Sequence, residues 1–71
     1  MEFIIVRFRD ERDVFVDGMQ MGKTGEKLRV EKGRHTINLG DPRNYDPAWR
    51  RPDVQGTSSL KPMEVLFEPE A

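Results

Sequence analysis

Apolar residues recur at every second position through most of the first forty residues. In "EFIIVRF" Ile4, Val6 and Phe8 share one face, while Phe3, Ile5 and Arg7 share the other, and β-branched types dominate. The period is two, which predicts a strand. "RDVFV" repeats it, with Val14 and Val16 on one face and Phe15 between them. Asp17-Gly18 follows at once. Tight hairpin turns need positive φ at one or two central positions, which glycine adopts freely and aspartate tolerates, so the chain is expected to reverse there. Met19 to Met21 then returns as a short strand.

Gly22 is read as permitting a second bend toward "TGEKLRV", where Leu28 and Val30 point inward. Lys32-Gly33 turns the chain again, and His35, Ile37 and Leu39 form the next inward row. From Gly40 to Pro62 the alternation disappears. "GDPRNYDPAWRRPDVQGTSSLKP" holds four of the five prolines and reads as a long loop, with room for one short strand near Trp49 or Val54. "MEVLFE" restores the pattern, with Met63, Val65 and Phe67 on one face, and Pro69 stops it. No segment has a convincing helical period. The expectation is an all-β chain: a small antiparallel β-sandwich with a long proline-rich loop before its last strand.

Composition narrows this further. A chain of 71 residues fits one domain, residues 1–71, with little interior to bury. It has no cysteine, so disulfides and thiolate-bound metals are excluded, and a single histidine argues against any metal site. No cofactor is expected. Twelve Lys+Arg balance thirteen Asp+Glu, which argues against broad phosphate-backbone binding and hence against nucleic acid as a partner. The run "MEFIIVRF" is too short and wrongly flanked for an export signal, and no apolar run reaches membrane-spanning length. The chain as written reads as cytoplasmic, without membrane insertion.

The strand and turn residues together resemble the PEGA domain. The matching positions are Val14, Val16, Asp17 and Gly18, then Gly22 and Thr24, Leu28 and Val30, and Gly33, His35, Ile37 and Leu39. "MEVLF" sits where that family's last strand falls. The stretch that gives the family its name is replaced by "RDER" at 9–12, and Gly25 stands where a proline usually follows the threonine. The resemblance implies a small immunoglobulin- or prealbumin-like sandwich, an accessory module without catalytic residues, often envelope-associated.

Candidate chemistry is sparse. His35 has no second histidine or cysteine to join it as a metal ligand or base, and reads as structural, its ring bonding a loop backbone group. Asp17, Gly18, Gly22 and Gly33 read as turn residues; calcium-loop spacing is absent around Asp17. The serines of "GTSSL" have no base beside them in sequence. The cluster "RNYDPAWRRP" is different. Arg43, Tyr45, Trp49, Arg50 and Arg51 are of the types enriched at interface hot spots, although Trp49 in such a loop also suits capping the core.

The function expected is therefore non-enzymatic: a protein-interaction or structural module with a protein partner or a second copy of itself. Phe3, Ile5, Phe15 and Leu66, opposite the inward rows, are either covered or form an apolar patch for self-association. The alternative is a carbohydrate- or cell-envelope-binding module using Tyr45 and Trp49 as stacking platforms.

Overall fold

A computed structural model describes residues 1–70. Alternation is converted directly into strands: β1 (Glu2–Arg7), β2 (Asp13–Val16), β3 (Met19–Lys23), β4 (Lys27–Val30), β5 (Gly33–Arg34), β6 (Ile37–Asn38), β7 (Tyr45–Asp46), β8 (Asp53–Val54), β9 (Met63–Leu66) and β10 (Glu68–Pro69). The fold is all-β. Two three-stranded sheets, ordered β4-β1-β9 and β3-β2-β6, are joined by the two-stranded pairs β5-β8 and β7-β10. The strand pairings are antiparallel except that of β1 with β9, which runs parallel with Ile4 opposite Met63 and Val6 opposite Val65.

Both larger sheets turn their apolar rows into one core. Ile4, Val6, Leu28, Val30 and Val65 come from the first, and Val14, Val16 and Ile37 from the second, with Leu39, Tyr45, Val54 and Phe67 closing the ends. The molecule's thinnest dimension is 17 Å. Sheets pack about 10 Å apart, which leaves room for two layers and no third. The arrangement is sandwich-like.

At Asp17-Gly18 both residues have positive φ, 52° and 84°, and Val16 faces Met19 across the turn, as the tight hairpin demands. Gly22 does not bend the chain. It lies inside β3 opposite Val14, and the bend falls at Thr24–Gly25. The reason for glycine at 22 is space, since a Cβ there would stand 2.5 Å from Leu28 Cδ2. The register slips beside it, from Val14 opposite Gly22 to Phe15 opposite Gln20, leaving Met21 as the extra residue of a β-bulge.

Gly33 begins β5 with a φ of 124°, after the bend at Lys32. His35 is not part of an inward row. The backbone leaves β5 before it and enters β6 after Thr36, changing partner from β8 to β2, and the ring lies half-buried outside the core cluster. The segment 40–62 is not one loop either. It contains β7 and β8, with Tyr45 and Val54 buried in the core, and Arg50 forms an isolated antiparallel bridge with Ile37. Pro69 is not what stops the "MEVLFE" strand. β9 ends at Leu66, and Pro69 lies in β10 opposite Tyr45, an edge position where its missing N–H is tolerated.

Phe8, Tyr45 and Phe67 form an edge-to-face series at one end of the core, with centroids 6.2 and 5.5 Å apart. The Arg12 guanidinium lies over the Phe8 and Tyr45 rings and donates to the carbonyls of Leu39, Gly40 and Pro42 and to Asn44 Oδ1. Thr24, buried, accepts from the Arg12 amide and donates to the Asp10 carbonyl.

Gly40 has a φ of 70°, and a Cβ there would stand 2.6 Å from Phe15 Cε1. Gly18 has a similar φ and open space around it. Gly18→Ala is therefore expected to cost only the left-handed backbone term, about 1–2 kcal/mol. Gly40→Ala adds ring displacement, for a total of roughly 2–4 kcal/mol. Urea unfolding of the two variants beside the parent checks the ranking; equal losses would show that Phe15 yields freely.

Candidate functional site

The residues after β7 carry the most exposed aromatic ring of the chain. Ile37 and Arg50 exchange both backbone hydrogen bonds, Ile37 N to Arg50 O at 2.7 Å and Arg50 N to Ile37 O at 2.9 Å. His35 N donates to Pro52 O two residues further on. The segment 50–52 is thereby fastened along the strand switch between β5 and β6. Trp49, immediately before the bridge, is 56% exposed. It does not cap the core. Depressions of about 260 and 470 Å³ border its ring, one with Thr36, Asn38, Ala48 and Arg51, the other with Pro47, Arg50, Arg51 and Pro52.

The Arg50 side chain donates through Nε to the Leu66 carbonyl, and Leu66, 53% exposed, lies beside it in a further depression with Pro52. Trp49, Arg50, Arg51 and Leu66 thus form one surface of apolar groups edged by guanidinium cations. Arg43 is exposed but borders neither depression beside Trp49.

Tyr45 is not a surface platform. It is 3% exposed, its ring packed between Phe8 and Phe67, and its hydroxyl donates to Gly40 O and accepts from Leu39 N. The "RNYDPAWRRP" cluster is therefore split: β7 sends Tyr45 inward against β10, and the following turn sends Trp49 outward. Of the apolar residues opposite the inward rows, Phe3, Ile5 and Phe15 are half-buried, and Leu66 is exposed. Thr57 Oγ1 accepts from Phe3 N, and Lys27 Nζ lies over the Phe3 ring while donating to Ser59. Loop 57–59 thus partly covers that face.

His35 and Asp17 form the principal titratable pair. His35 Nδ1 lies 2.7 Å from Asp17 Oδ2, and Nε2 lies 2.6 Å from Glu31 O. Both partners are acceptors, so only the doubly protonated imidazolium donates to both. The Asp17 carboxylate holds the His35 pKa above its ordinary 6.5, with the Glu31 carbonyl helping and partial desolvation opposing. Reciprocally, the His35 hydrogen bond holds Asp17 below 3.8, aided by the Thr36 amide. With both ring nitrogens engaged, this histidine is a strut and offers no free nitrogen to a substrate. Ser59 Oγ accepts from Lys27, and Ser58 Oγ from the Lys61 amide.

A second surface lies beside the strut. Met1, Met19 and Met21, exposed by 63%, 68% and 44%, line an open groove of about 490 Å³ with Val16, Val30, Arg29 and Glu31 and with the Asp17–His35 strut itself. Met19 to Met21 is legible in the sequence as a returning strand, but nothing local to it shows that Met1 lies beside it. No family model, curated protein or solved structure matches the chain. No helix among the described residues is long and apolar enough to cross a membrane.

The sign of the pH dependence follows from these two shifts. A raised His35 pKa gives stabilisation that is complete below about 6.5 and is lost as pH rises through the folded value. A lowered Asp17 pKa gives stabilisation present above about 3.8 and lost as pH falls through its folded value. The pair's contribution is therefore greatest between those limits. Urea midpoints are expected to fall from pH 6 toward pH 9, and His35→Gln is expected to flatten that slope. An NMR titration placing His35 at or below 6.5 would contradict the assignment.

Proposed function

We propose that this chain is a non-catalytic, PEGA-like interaction module that binds a protein partner through the surface of Trp49, Arg50, Arg51 and Leu66. The observation that carries the reading is a tryptophan more than half exposed next to a backbone segment already fixed by the paired hydrogen bonds to Ile37. Burying the rest of such a ring is worth on the order of 2–3 kcal/mol. Little backbone ordering offsets that gain, because the bridge holds the segment before any partner arrives. Tryptophan and arginine are also the residue types that most often dominate interface energetics.

The proposed partner is protein rather than glycan. A stacking platform for a sugar chain gains from successive exposed rings, and with Tyr45 in the core this surface has one. The arginines favour a partner with carboxylates near an apolar anchor. The reading gives no part to acid-base chemistry, since both nitrogens of the only histidine have intramolecular partners.

Trp49→Ala and Arg51→Glu are expected to leave the urea midpoint within about 0.5 kcal/mol of the parent, as exposed substitutions do. Both are expected to abolish partner cross-linking in an extract of the producing cells. The single tryptophan supplies a direct signal, because its emission shifts to the blue when the partner covers it. Cross-linking at the parent level by both variants would sink the proposal. A blue shift with cell-wall glycan and none with the cross-linked protein would replace it with the carbohydrate reading.

A further inference from the structure

The His35 ring sits between two acceptors, Asp17 Oδ2 at 2.7 Å from Nδ1 and the Glu31 carbonyl at 2.6 Å from Nε2. An imidazolium donates to both, whereas a neutral imidazole has one N–H and serves one. The two bonds are unequal. A hydrogen bond to an ionised carboxylate is roughly twice as strong as one to a neutral carbonyl, and the Asp17 carboxylate is also held in place by the Thr36 amide on Oδ1. The proton the ring gives up is therefore the one on Nε2. A lone pair then faces the Glu31 oxygen at a distance that only a hydrogen bond makes favourable.

The backbone on the Glu31 side is free to yield. Val30 is anchored opposite Glu2 of β1, and Gly33 opposite Val54 of β8. Between these anchors Glu31 and Lys32 are exposed, and outside the strand ladders the bond from His35 is the only hydrogen bond to their backbone among the described residues. Gly33, with a φ of 124° and no atom within 4 Å of the place a Cβ would take, can absorb a change of backbone angle that a larger residue resists. Rotation of the peptide plane between Glu31 and Lys32 turns the carbonyl to water. Neither anchored strand has to move.

We propose that the Glu31–Gly33 turn is a proton-operated latch, closed on the His35 imidazolium and released by rotation of the 31–32 peptide plane when Nε2 loses its proton. The Asp17 carboxylate raises the pH at which release occurs above the ordinary histidine value of 6.5. Other charged groups surround the ring. The Glu31 carboxylate stands at the end of β4, Arg51 acts on Asp17 from the 50–52 segment, and Asp53 follows the Pro52 carbonyl that the His35 amide bonds. Arg29 and Met1, which carries the amino group, line the adjoining groove. The arginines keep their charge throughout. Glu31 and His35 are both part of that groove's wall, so its shape changes with the latch. The proposal is independent of the Trp49 surface.

The intact chain tests the latch without any substitution. Nitrogen spectra of the imidazole, recorded through the His35 titration, are expected to show Nε2 losing its proton while Nδ1 keeps it. Over the same interval the three-bond coupling that reports φ at Lys32 is expected to shift, and the couplings within β2 and β4 are expected to stay constant. His35→Gln, whose side chain does not titrate, is expected to show no such step, which separates His35 from the Met1 amino group and the carboxylates. Deprotonation at Nδ1, a Lys32 coupling unchanged across the titration, or the same step in His35→Gln would overturn the proposal. So would a loss of dispersed signals throughout the molecule in place of a local change.

Discussion

Asp17 turns the β2–β3 hairpin with a φ of 52°, and its carboxylate accepts from the Thr36 amide through Oδ1 and bonds the His35 ring through Oδ2. Its own amide donates to the Thr36 carbonyl at 2.8 Å. One residue thus reverses the chain and fastens the reversal to the point where the backbone leaves β5 for β6. A glycine at 17 suits the turn and keeps the amide bond to the Thr36 carbonyl but offers no acceptor to the Thr36 amide or the His35 ring; an asparagine keeps one acceptor and loses the charge. From this clip Ile37 is placed in register with Val16, and Arg50 in register with Ile37, which fixes the backbone beside Trp49. On its other side Asp17, His35 and Val16 form part of the wall of the methionine groove. Both candidate surfaces therefore depend on the same short strut.

The opposite end of the core relies on a cation. Arg12 has no carboxylate partner among the described residues, yet its guanidinium is surrounded by four oxygen acceptors and two ring faces. The backbone carbonyls of 39, 40 and 42 turn too irregularly to pair in a sheet, and the planar fork of arginine satisfies several of them at once. A lysine's compact charge has neither the reach nor the fork. Tyr45 completes the arrangement by returning its hydroxyl to Gly40 O. A small chain with no disulfide thus closes its core by folding an irregular segment around one guanidinium.

These two contacts show what the sequence makes legible. The inward rows Ile4–Val6, Val14–Val16, Leu28–Val30 and Val65–Phe67 were readable because alternation is imposed by the strand itself, and the Asp17-Gly18 reversal because positive φ restricts residue choice. The clip and the clamp were not readable, because Thr36 and Arg12 act through partners 19 to 32 positions away and carry no local signature. Tyr45 misled for a related reason. An aromatic among prolines and arginines reads as surface, and only the two-residue pairing of β7 with β10 turns it inward. Gly22 looked like a bend because its actual constraint, Leu28 Cδ2, lies on the next strand. Of the proposed contact surface, Trp49, Arg50 and Arg51 were legible as a cluster, whereas Leu66 joins them only through the Arg50–Leu66 contact.

The prolines cluster at the ends of the short strands. A small sheet has more edge per residue than a large one, and each edge is a site for unwanted pairing unless it is blunted. β7 is followed by Pro47, β8 is preceded by Pro52, β9 is preceded by Pro62, and β10 contains Pro69. Arg50 occupies the β6 flank at Ile37, and its side chain takes the Leu66 carbonyl at the end of β9. β3 and β4 are blunted differently: β3 holds the bulge at Met21 and ends in Lys23, and β4 carries Lys27 and Arg29. The hollow beside them is walled mostly by apolar side chains, with Asp17, Arg29, Glu31 and His35 also lining it. Bulge, lysine and proline thus each blunt a different edge of the same small fold.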